Sequence, residues 1–424
     1  MQELKGKGME EKEKKKGGVL ERMRHAAGRR LCRLFGIETA DQFKTRKISG
    51  ATAAEWREAA EKLVVVAMPS LLDEFGGKDM DFSPSLTGTG VYGYKYQAVM
   101  RALPGVTFVE NSETKPDYCF FWGFGRSWSN VVSALVCART GCVPVLCEDS
   151  FLRSADTWAN TTTPPQYRQG CSVIFDTRGF YFDATRTSTV ELMLNDKSLI
   201  VTPEQRAEAR RLIDRIVGAK LTKYNHQPIF KPEVGRLGRR KVLVIDQSYG
   251  DFAIRKGWGS DKTFADMLED AKRENPDCDI LVKTHPDTMT GRVLGYYDKV
   301  KEEGNVFRVT MPINPYSLLE VVDRVYVCST QFGFEALMAG KEVHVYGMPF
   351  YAGWGLTHDA QKKHTRTNTR TLEEVFYIFY VLYTHWVDVN TGTPCDIDRA
   401  IDNLIAIREE YAAYQKARRA GNGA

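Results

Sequence analysis

Short apolar runs alternate along the chain with polar turns and amphipathic segments, and the stretch 321–355 shows the pattern most clearly. Its first apolar run, 321–327, is rich in valine and predicts a buried strand. A Ser-Thr-Gln turn at 329–331 precedes a helix-like segment that ends at Gly340, and a second apolar run follows at 342–346. Strand, polar turn, helix, glycine stop and strand together predict a βαβ unit.

The same alternation predicts a parallel sheet in each half of the chain. In the first half, an apolar strand within 118–125 breaks into a glycine-rich turn, a helix follows at 128–138, and a second strand follows at 143–147. In the second half, 241–247 and 279–287 each give a buried strand that ends in polar residues. Strands that alternate with helices in this way are typical of α/β folds.

A chain of 424 residues is too long for one ordinary core. We predict an α/β architecture of two Rossmann-type domains that face each other across a cleft. The predicted divisions are an extension at 1–50, an N-terminal α/β domain at 51–218, a linker at 219–240, a C-terminal α/β domain at 241–385, and a helical segment at 386–424. The linker contains Gly and Pro and lacks sustained periodicity.

The ends of the chain have their own patterns. Residues 1–17 are rich in charge and almost devoid of apolar groups, which predicts disorder. Residues 18–36 predict a basic amphipathic helix, which suits an anionic membrane surface and equally suits packing on the protein's own domain. Two long helices are predicted near the C-terminus, at 372–386 and 397–414.

Charge, cysteine content and hydropathy indicate which classes of protein this chain can belong to. The net charge of +5 is too small to indicate binding of nucleic acid across the whole surface. Nine cysteines without a CxxC pair predict reduced thiols in a cytoplasmic protein. No apolar run reaches transmembrane length and no signal peptide is visible, so any contact with a membrane is expected on the cytoplasmic surface.

Polar side chains follow three strands of the predicted second domain, at 247–251, 283–287 and 329–335. The carboxyl ends of parallel strands are where open α/β sheets bind ligands, so these groups should meet at one edge. Glu148 and Asp149 end a strand of the first domain and are expected to face the same cleft.

The helix predicted after Ser329 and Thr330 offers free N–H groups to a phosphate or carboxylate. Either residue would cap this helix, and a cap with no ligand is the ordinary alternative. Glu335 lies one turn further along, near enough to accept hydrogen bonds from ribose hydroxyls.

Several longer motifs resemble the bacterial capsule polysaccharide β-Kdo transferases of the KpsC and KpsS type, and the related retaining modules of O-antigen assembly. The motifs are Trp122-Gly-Phe-Gly-Arg126, Glu148-Asp-Ser-Phe-Leu-Arg-Ser154, Tyr181-Phe-Asp-Ala-Thr185, Lys283-Thr-His-Pro-Asp287, Gly333-Phe-Glu-Ala-Leu337 and Phe350-Tyr-Ala-Gly-Trp-Gly-Leu-Thr357. The resemblance runs from Tyr118 to the C-terminal helices and implies a GT-B-like glycosyltransferase. Ser150 stands where the family pattern has Gly, and this chain has one module where KpsC-type proteins have two.

The resemblance implies transfer of Kdo from CMP-β-Kdo to a glycolipid or polysaccharide acceptor, with retention at the anomeric carbon. Asp251, after a Gln-x-x-Gly turn, is the candidate nucleophile of a double displacement; a turn residue or helix cap is the alternative. Glu148 is the candidate general acid/base, with its neighbour Asp149 as the other possibility. His285 would meet the CMP phosphate or the departing charge.

The remaining residues are assigned to binding of the donor. Lys283 is expected at the phosphate or at the Kdo carboxylate, for which Arg126 and Arg153 are further candidates; alternatively, Arg153 pairs with one of the two acidic residues beside it. The other expected contacts are phosphate with Ser329, Thr330 and Gln331, and ribose with Glu335. Tyr351 and Trp354 are expected to shape the cleft.

No DxD motif stands out, and the donor carries its own leaving phosphate, so we expect no catalytic metal and no cofactor. His344 is predicted to lie in the core, and His358, His364 and His385 form no metal-ligand spacing. Two alternatives to a Kdo transferase stay open. One is a transferase for another CMP-activated ulosonic acid, such as a sialic acid. The other is a catalytically silent scaffold or glycan-binding subunit of a capsule assembly complex.

Overall fold

The computed structural model describes residues 64–66, 98–99, 101–103, 107–109, 118–123, 143–285, 288, 291 and 293–421. The predicted helix at 18–36, Arg126 and Asp287 lie outside the described residues.

The first sheet of the described chain has the strand order β13-β12-β5-β4-β3-β1-β2. Its strands are β1 Val64–Val66, β2 Thr107–Val109, β3 Tyr118–Trp122, β4 Val143–Glu148, β5 Ser172–Asp176, β12 Thr384–Val387 and β13 Pro394–Cys395. Strands β1 to β4 pair in parallel, and β5, β12 and β13 join antiparallel. Strand β4 is buried along its length until Glu148, which is half-buried where the strand ends.

The second sheet has the order β11-β10-β9-β6-β7-β8, and every pair in it is parallel. Its strands are β6 Lys241–Ile245, β7 Asp279–Lys283, β8 Val306–Val309, β9 Arg324–Val327, β10 Glu342–Val345 and β11 His358–Asp359. Strand β7 is buried throughout and β6 nearly so, as expected for central strands of a parallel sheet covered on both faces.

Helices connect these strands and begin at recognisable caps. They are α1 Pro165–Arg168, α2 Thr189–Asn195, α3 Pro203–Gly218, α4 Phe252–Lys256, α5 Asp261–Glu274, α6 Pro315–Leu319, α7 Phe332–Met338, α8 Leu372–Phe376 and α9 Ile397–Gly421. Thr202 starts α3 and Ser260 starts α5, each through a capping box that satisfies otherwise unpaired backbone N–H groups. No helix in the described part of the chain is long and apolar enough to cross a bilayer.

The prediction of one helix over 372–386 is wrong. Helix α8 continues as a π-helix, Tyr377–Tyr383, and the chain then turns into strand β12, which pairs antiparallel with β5. All four residues of β12 are buried, and the Trp386 indole N–H donates to the Tyr380 carbonyl oxygen at 2.6 Å. The chain thus returns from the second sheet to the first before α9, which runs to Gly421.

One hydrophobic core joins the two sheets. Phe151, which follows β4, contacts Phe334 of α7, Phe350 and Phe379 at ring-centroid distances of 6.5, 5.4 and 5.0 Å. Ile174 of the first sheet belongs to the same buried cluster. The strand ends of the two sheets are therefore held close to each other by buried aromatic packing.

Candidate functional site

Hydrogen bonds bring the three predicted polar strand ends of the second sheet together. The Gln247 side-chain oxygen, after β6, accepts from the Ser329 backbone N–H after β9 at 3.0 Å. The Ser248 hydroxyl lies 3.1 Å from Nδ1 of His285, which follows β7. These contacts place Gln247, Ser248, His285 and Ser329 at the carboxyl edge of one parallel sheet.

Asp251 lies in this edge as the N-cap of the five-residue helix α4. Its Oδ1 accepts from the Ala253 backbone N–H at 2.9 Å, and the residue is exposed. Gly250, which precedes Asp251, has a φ of +82°, a backbone conformation that residues other than glycine rarely adopt. One oxygen of Asp251 therefore caps the helix, as the alternative prediction has it. Because the residue is exposed, a reacting carbon can still approach its carboxylate.

The two acidic residues at the end of β4 differ in their environment. Glu148 is half-buried, and one of its oxygens accepts from the Asp149 backbone N–H at 3.0 Å. Asp149 is only 5% exposed, and its carboxylate lies 2.9 Å from Nε of Arg153. Glu148 is therefore the more accessible of the two candidates for acid/base chemistry.

Arg153 is fully buried, at 0% exposure, and its guanidinium also donates to the Ser154 hydroxyl and to the Arg168 carbonyl oxygen. Of the two predicted roles of Arg153, the structure thus shows the ion pair with a neighbouring carboxylate, which is Asp149. This buried and paired guanidinium supports the Asp149 carboxylate and is not exposed to solvent.

Tyr181 marks the place where the two sheets' carboxylates share one electrostatic environment. Burial raises the pKa of Tyr181, the Lys223 charge lowers it, and the charges of Glu148, Asp149 and Asp251 raise it further. Each of these groups must be near enough to Tyr181 to act on it. The charges of the candidate nucleophile, from the second sheet, and of the candidate acid/base, from the first, thus act on the same phenol.

Lys223 is the residue that sequence analysis missed. Burial lowers the pKa of Lys223, but Tyr181, Tyr224, Glu148 and Asp149 outweigh burial and raise that pKa above its ordinary value. Lys223 lies in the predicted linker 219–240, where no periodicity or motif marks a single lysine. The signal is tertiary, because the acidic groups that raise the Lys223 pKa, Glu148 and Asp149, lie at the end of a strand distant in sequence.

Lys283 is buried, and its ammonium donates to the Thr284 carbonyl oxygen at 2.8 Å. Burial lowers the pKa of Lys283 to about 8, against the opposing effect of the Asp246 charge. Asp246 itself accepts from the backbone N–H groups of Gln247 and Tyr296, and burial raises its pKa to about 6. Lys283 is thus buried at the end of β7, within the electrostatic reach of Asp246.

Helix α7 begins differently from the prediction. Its N-cap is Gln331, without a side-chain cap bond, whereas Ser329 or Thr330 was expected. Thr330 Oγ1 still accepts from the Phe332 backbone N–H, at 3.3 Å. The Gln331 amide donates to the Phe151 carbonyl oxygen at 2.7 Å and to Glu335 at 3.0 Å. Gln331 therefore ties the helix to the segment after β4.

Glu335 lies at the junction between the sheets. It is 3% exposed, and one of its oxygens accepts from both the Thr222 hydroxyl and the Gln331 amide. Burial raises the pKa of Glu335 to about 7, although those two hydrogen bonds lower it. One oxygen of Glu335 therefore already accepts two hydrogen bonds, and the predicted contact with ribose would have to use the other oxygen.

Tyr351 and Trp354, expected to shape the cleft, are fully buried. The Tyr351 hydroxyl donates to the Thr330 carbonyl oxygen at 2.7 Å, and a Cβ at Gly333 would overlap that hydroxyl. The Trp354 indole N–H donates to the Phe350 carbonyl oxygen at 2.7 Å. Tyr351 thus supports the turn at 329–331, whereas the Trp354 indole bonds within its own segment.

Comparison with known proteins gives these residues a context. Residues 120–390 match the family described as "Capsule polysaccharide biosynthesis protein". The chain is 36% identical over 272 residues to the capsule polysaccharide modification protein LipA of Neisseria meningitidis serogroup A, which is 62% of this chain and 38% of LipA. It is 32% identical over 314 residues to the lipopolysaccharide-processing protein LpsZ of Rhizobium meliloti, covering 72% of this chain and 68% of LpsZ.

Two solved structures share the fold. The β-Kdo 2,4 transferase of KpsC from Thermosulfurimonas dismutans superposes with a TM-score of 0.67 at 32% identity, over 81% of this chain and 98% of that chain. The β-Kdo 2,7 transferase of the same KpsC superposes with a TM-score of 0.53 at 24% identity, over 74% and 96%. The α/β, GT-B-like fold class and the resemblance to this group are thereby confirmed.

Proposed function

Because the chain belongs to the family of capsule polysaccharide biosynthesis proteins, we propose that it is a retaining β-Kdo transferase that uses CMP-β-Kdo as donor. The acceptor would be a glycolipid or polysaccharide. The observation that carries the proposal is the similarity to a β-Kdo 2,4 transferase over 98% of that chain. The charges of Asp251 and Glu148, which come from opposite sheets, both raise the pKa of Tyr181, and this shared effect supports the proposal.

Two carboxylates on opposite sides of a cleft can perform a double displacement. In the first step, a carboxylate oxygen of Asp251 bonds to the anomeric carbon of Kdo, and the bond from that carbon to the phosphate oxygen breaks. CMP leaves with the electron pair. In the second step, Glu148 takes the proton of an acceptor hydroxyl, whose oxygen attacks the same carbon and releases Asp251. Two inversions give net retention.

The phosphate of the donor would lie at the carboxyl edge of the second sheet. His285 and the hydroxyls of Ser329 and Thr330 are half-buried there. His285 can accept or donate a hydrogen bond, and a protonated imidazole would stabilise the charge that develops on departing CMP. Gln331 and Glu335, engaged with Phe151 and Thr222, hold the sheets in position.

Lys223 is the cation that we assign to the Kdo carboxylate. It is half-buried and lies in the electrostatic environment of Glu148 and Asp149, whereas Arg153 is fully buried against Asp149. A cation at this place offsets the repulsion between an anionic donor and the acidic residues that act on it. Lys283 stays buried at the end of β7, bonded to the Thr284 carbonyl oxygen.

Intact-protein mass spectrometry tests the donor and the nucleophile together. The protein is incubated with CMP-Kdo generated in situ, with a control that lacks the enzyme. We expect an increase of one Kdo residue in the wild type and none in Asp251→Asn. Asn caps a helix about as well as Asp, so this variant keeps the cap while it removes the nucleophile.

An adduct that persists in Asp251→Asn would place the nucleophile on another carboxylate. Absence of both an adduct and CMP release, even with a Kdo-terminated glycolipid present, would contradict the proposed donor. The same assay with a CMP-activated sialic acid then tests the other ulosonic-acid donor, and inactivity with both would favour the silent scaffold.

We also propose that the protein acts at the cytoplasmic surface of the membrane, because a glycolipid acceptor is held there. The predicted basic helix at 18–36 would bind anionic headgroups. Cosedimentation with vesicles that contain anionic lipid should fall when residues 1–50 are removed. Unchanged binding of the shortened chain would contradict this role.

A further inference from the structure

Two histidines and a glutamate meet on β10 and β11, the two strands at one edge of the second sheet. His344 of β10 and His358 of β11 are direct partners across this parallel pair. Glu342 precedes His344 by two positions on β10, and residues two apart in a strand share one face of the sheet. The register of two strands therefore brings the three side chains together.

The distances among these side chains are those of ligands around one ion. Oε1 of Glu342 lies 2.9 Å from Nε2 of His344 and 3.3 Å from Nε2 of His358. Candidate ligand atoms of the three residues all lie within 4.8 Å of one another. Atoms bound to one tetrahedral zinc at 2.0–2.1 Å are separated by roughly 3.3 Å.

We propose that Glu342, His344 and His358 form a transition-metal site that takes Zn²⁺ through two imidazole nitrogens and one carboxylate oxygen. Water would complete the tetrahedral coordination. Imidazole ligands favour zinc and related first-row metals, whereas Mg²⁺ and Ca²⁺ prefer sites made of oxygen alone.

Neighbouring groups fit this coordination. Oε2 of Glu342 lies 2.9 Å from the Arg324 guanidinium, which leaves Oε1 to face the histidines. Oε2 of Glu274 accepts from the Tyr326 hydroxyl and lies 3.7 Å from Nδ1 of His344. Metal-bound histidines commonly offer their second ring nitrogen to such a carboxylate, which orients the ring. The Tyr326 ring also stacks on His344, with centroids 4.6 Å apart.

The proposed ion would stabilise the fold near the cleft without taking part in the reaction. It would link the two-residue strand β11 to β10. The segment between these strands contains the motif 350–357, and the ion would hold the two ends of that segment together. Asp359, next to His358, already accepts from the Gly353 backbone N–H at 2.8 Å. Sequence spacing did not indicate this site, because His344 and His358 become neighbours only through strand register.

An ion-pair cluster that binds no metal is the competing explanation, and metal titration separates the two. The full chain is stripped of metal with a chelator and titrated with Zn²⁺ by calorimetry, and with Co²⁺ by absorption spectroscopy. We expect one Zn²⁺ per chain, and visible Co²⁺ bands without the charge-transfer band of a thiolate ligand. Zinc should also raise the midpoint of thermal unfolding.

Variants locate the ion. His344→Ala and His358→Ala should each weaken zinc binding by more than the roughly 10–100-fold loss expected from a second-shell change such as Glu274→Gln. His364→Ala, an exposed histidine outside the cluster, should bind as the wild type does. Because the His358 side chain is 64% exposed, His358→Asn is a variant that should fold even if His344→Ala does not.

Three results would overturn the proposal. The first is no zinc binding by the wild type at micromolar concentration. The second is binding that is unchanged in both His358→Ala and His358→Asn. The third is a thiolate band in the cobalt spectrum, which would assign the ion to cysteines.

Discussion

The acidic residues around the cleft fall into two groups that differ in exposure and in partners. Asp251 is exposed and Glu148 half-buried, and backbone N–H groups donate to each of them. Asp149 and Glu335 are 5% and 3% exposed, and each is bonded to other side chains, Asp149 to Arg153 and Glu335 to Thr222. The four carboxylates of this region thus occupy two kinds of environment.

The difference follows from the cost of burying charge. A carboxylate removed from water needs a cation, several hydrogen bonds or a proton, and a group so engaged cannot also attack a sugar. An accessible carboxylate beside a cation can change its bonding at little cost. We therefore assign chemistry to Asp251 and Glu148, and structure to Asp149 and Glu335.

The largest expected effect is on the reaction itself. Glu148→Gln should lower the rate of transfer to the acceptor by roughly 10²–10⁴-fold, the usual contribution of a general base. CMP leaves without needing a proton, so the Kdo adduct on Asp251 should still form in this variant and accumulate. Rapid quenching followed by mass spectrometry measures both quantities.

Asp149→Asn is the matched control for that experiment. It changes the neighbouring buried carboxylate, and it should lower stability without accumulation of adduct. If Asp149→Asn stalls at the adduct while Glu148→Gln turns over normally, the two residues have exchanged roles and the division by exposure fails.

The next effect is on stability. Arg153→Met would leave the buried Asp149 carboxylate without its cation, and removal of one partner from a buried ion pair costs about 3–5 kcal/mol. Urea unfolding at neutral pH should show this loss, and Asp149→Leu combined with Arg153→Met should recover much of it.

An exposed ion pair provides the comparison. Lys262 and Asp266 lie 2.6 Å apart with side chains 80% and 48% exposed, so Lys262→Met should cost about 1 kcal/mol or less. Equal losses in Lys262→Met and Arg153→Met would mean that burial does not distinguish the two kinds of carboxylate.

Local patterns predicted the parts of the molecule whose structure depends on neighbours in sequence. The apolar runs that became β6, β7 and β9 end in polar residues, and parallel pairing brings those ends together. The acidic pair after β4 was found in the same way.

The features that were missed depend on contacts distant in sequence. The run Thr384–Val387 continues a helical pattern, yet it became a strand because β5 offered a free edge for pairing. The role proposed for Lys223 depends on Glu148 and Asp149, which lie far away in sequence. His344 lies beside His358 because of the register between β10 and β11. The periodicity of apolar residues carries no information on contacts between residues that are distant in sequence.

The smallest effect is the dependence of stability on pH that Glu335 produces. Burial raises its pKa in the folded protein to about 7, from an ordinary value of 4.5, so the folded state holds the proton more tightly than the unfolded state. Its contribution to stability is therefore complete below about 4.5 and is lost as the pH rises through about 7.

Glu335→Gln removes this titration and keeps an acceptor for Thr222. The free energy of unfolding, measured in urea at pH 5 and at pH 8, should fall with pH by on the order of 2 kcal/mol more in the wild type than in the variant. A difference between the two proteins that stays constant with pH would show that Glu335 does not change its protonation on folding. In that case the hydrogen bonds from Thr222 and Gln331 would suffice to hold a buried charge, and burial alone would no longer separate structural from catalytic carboxylates.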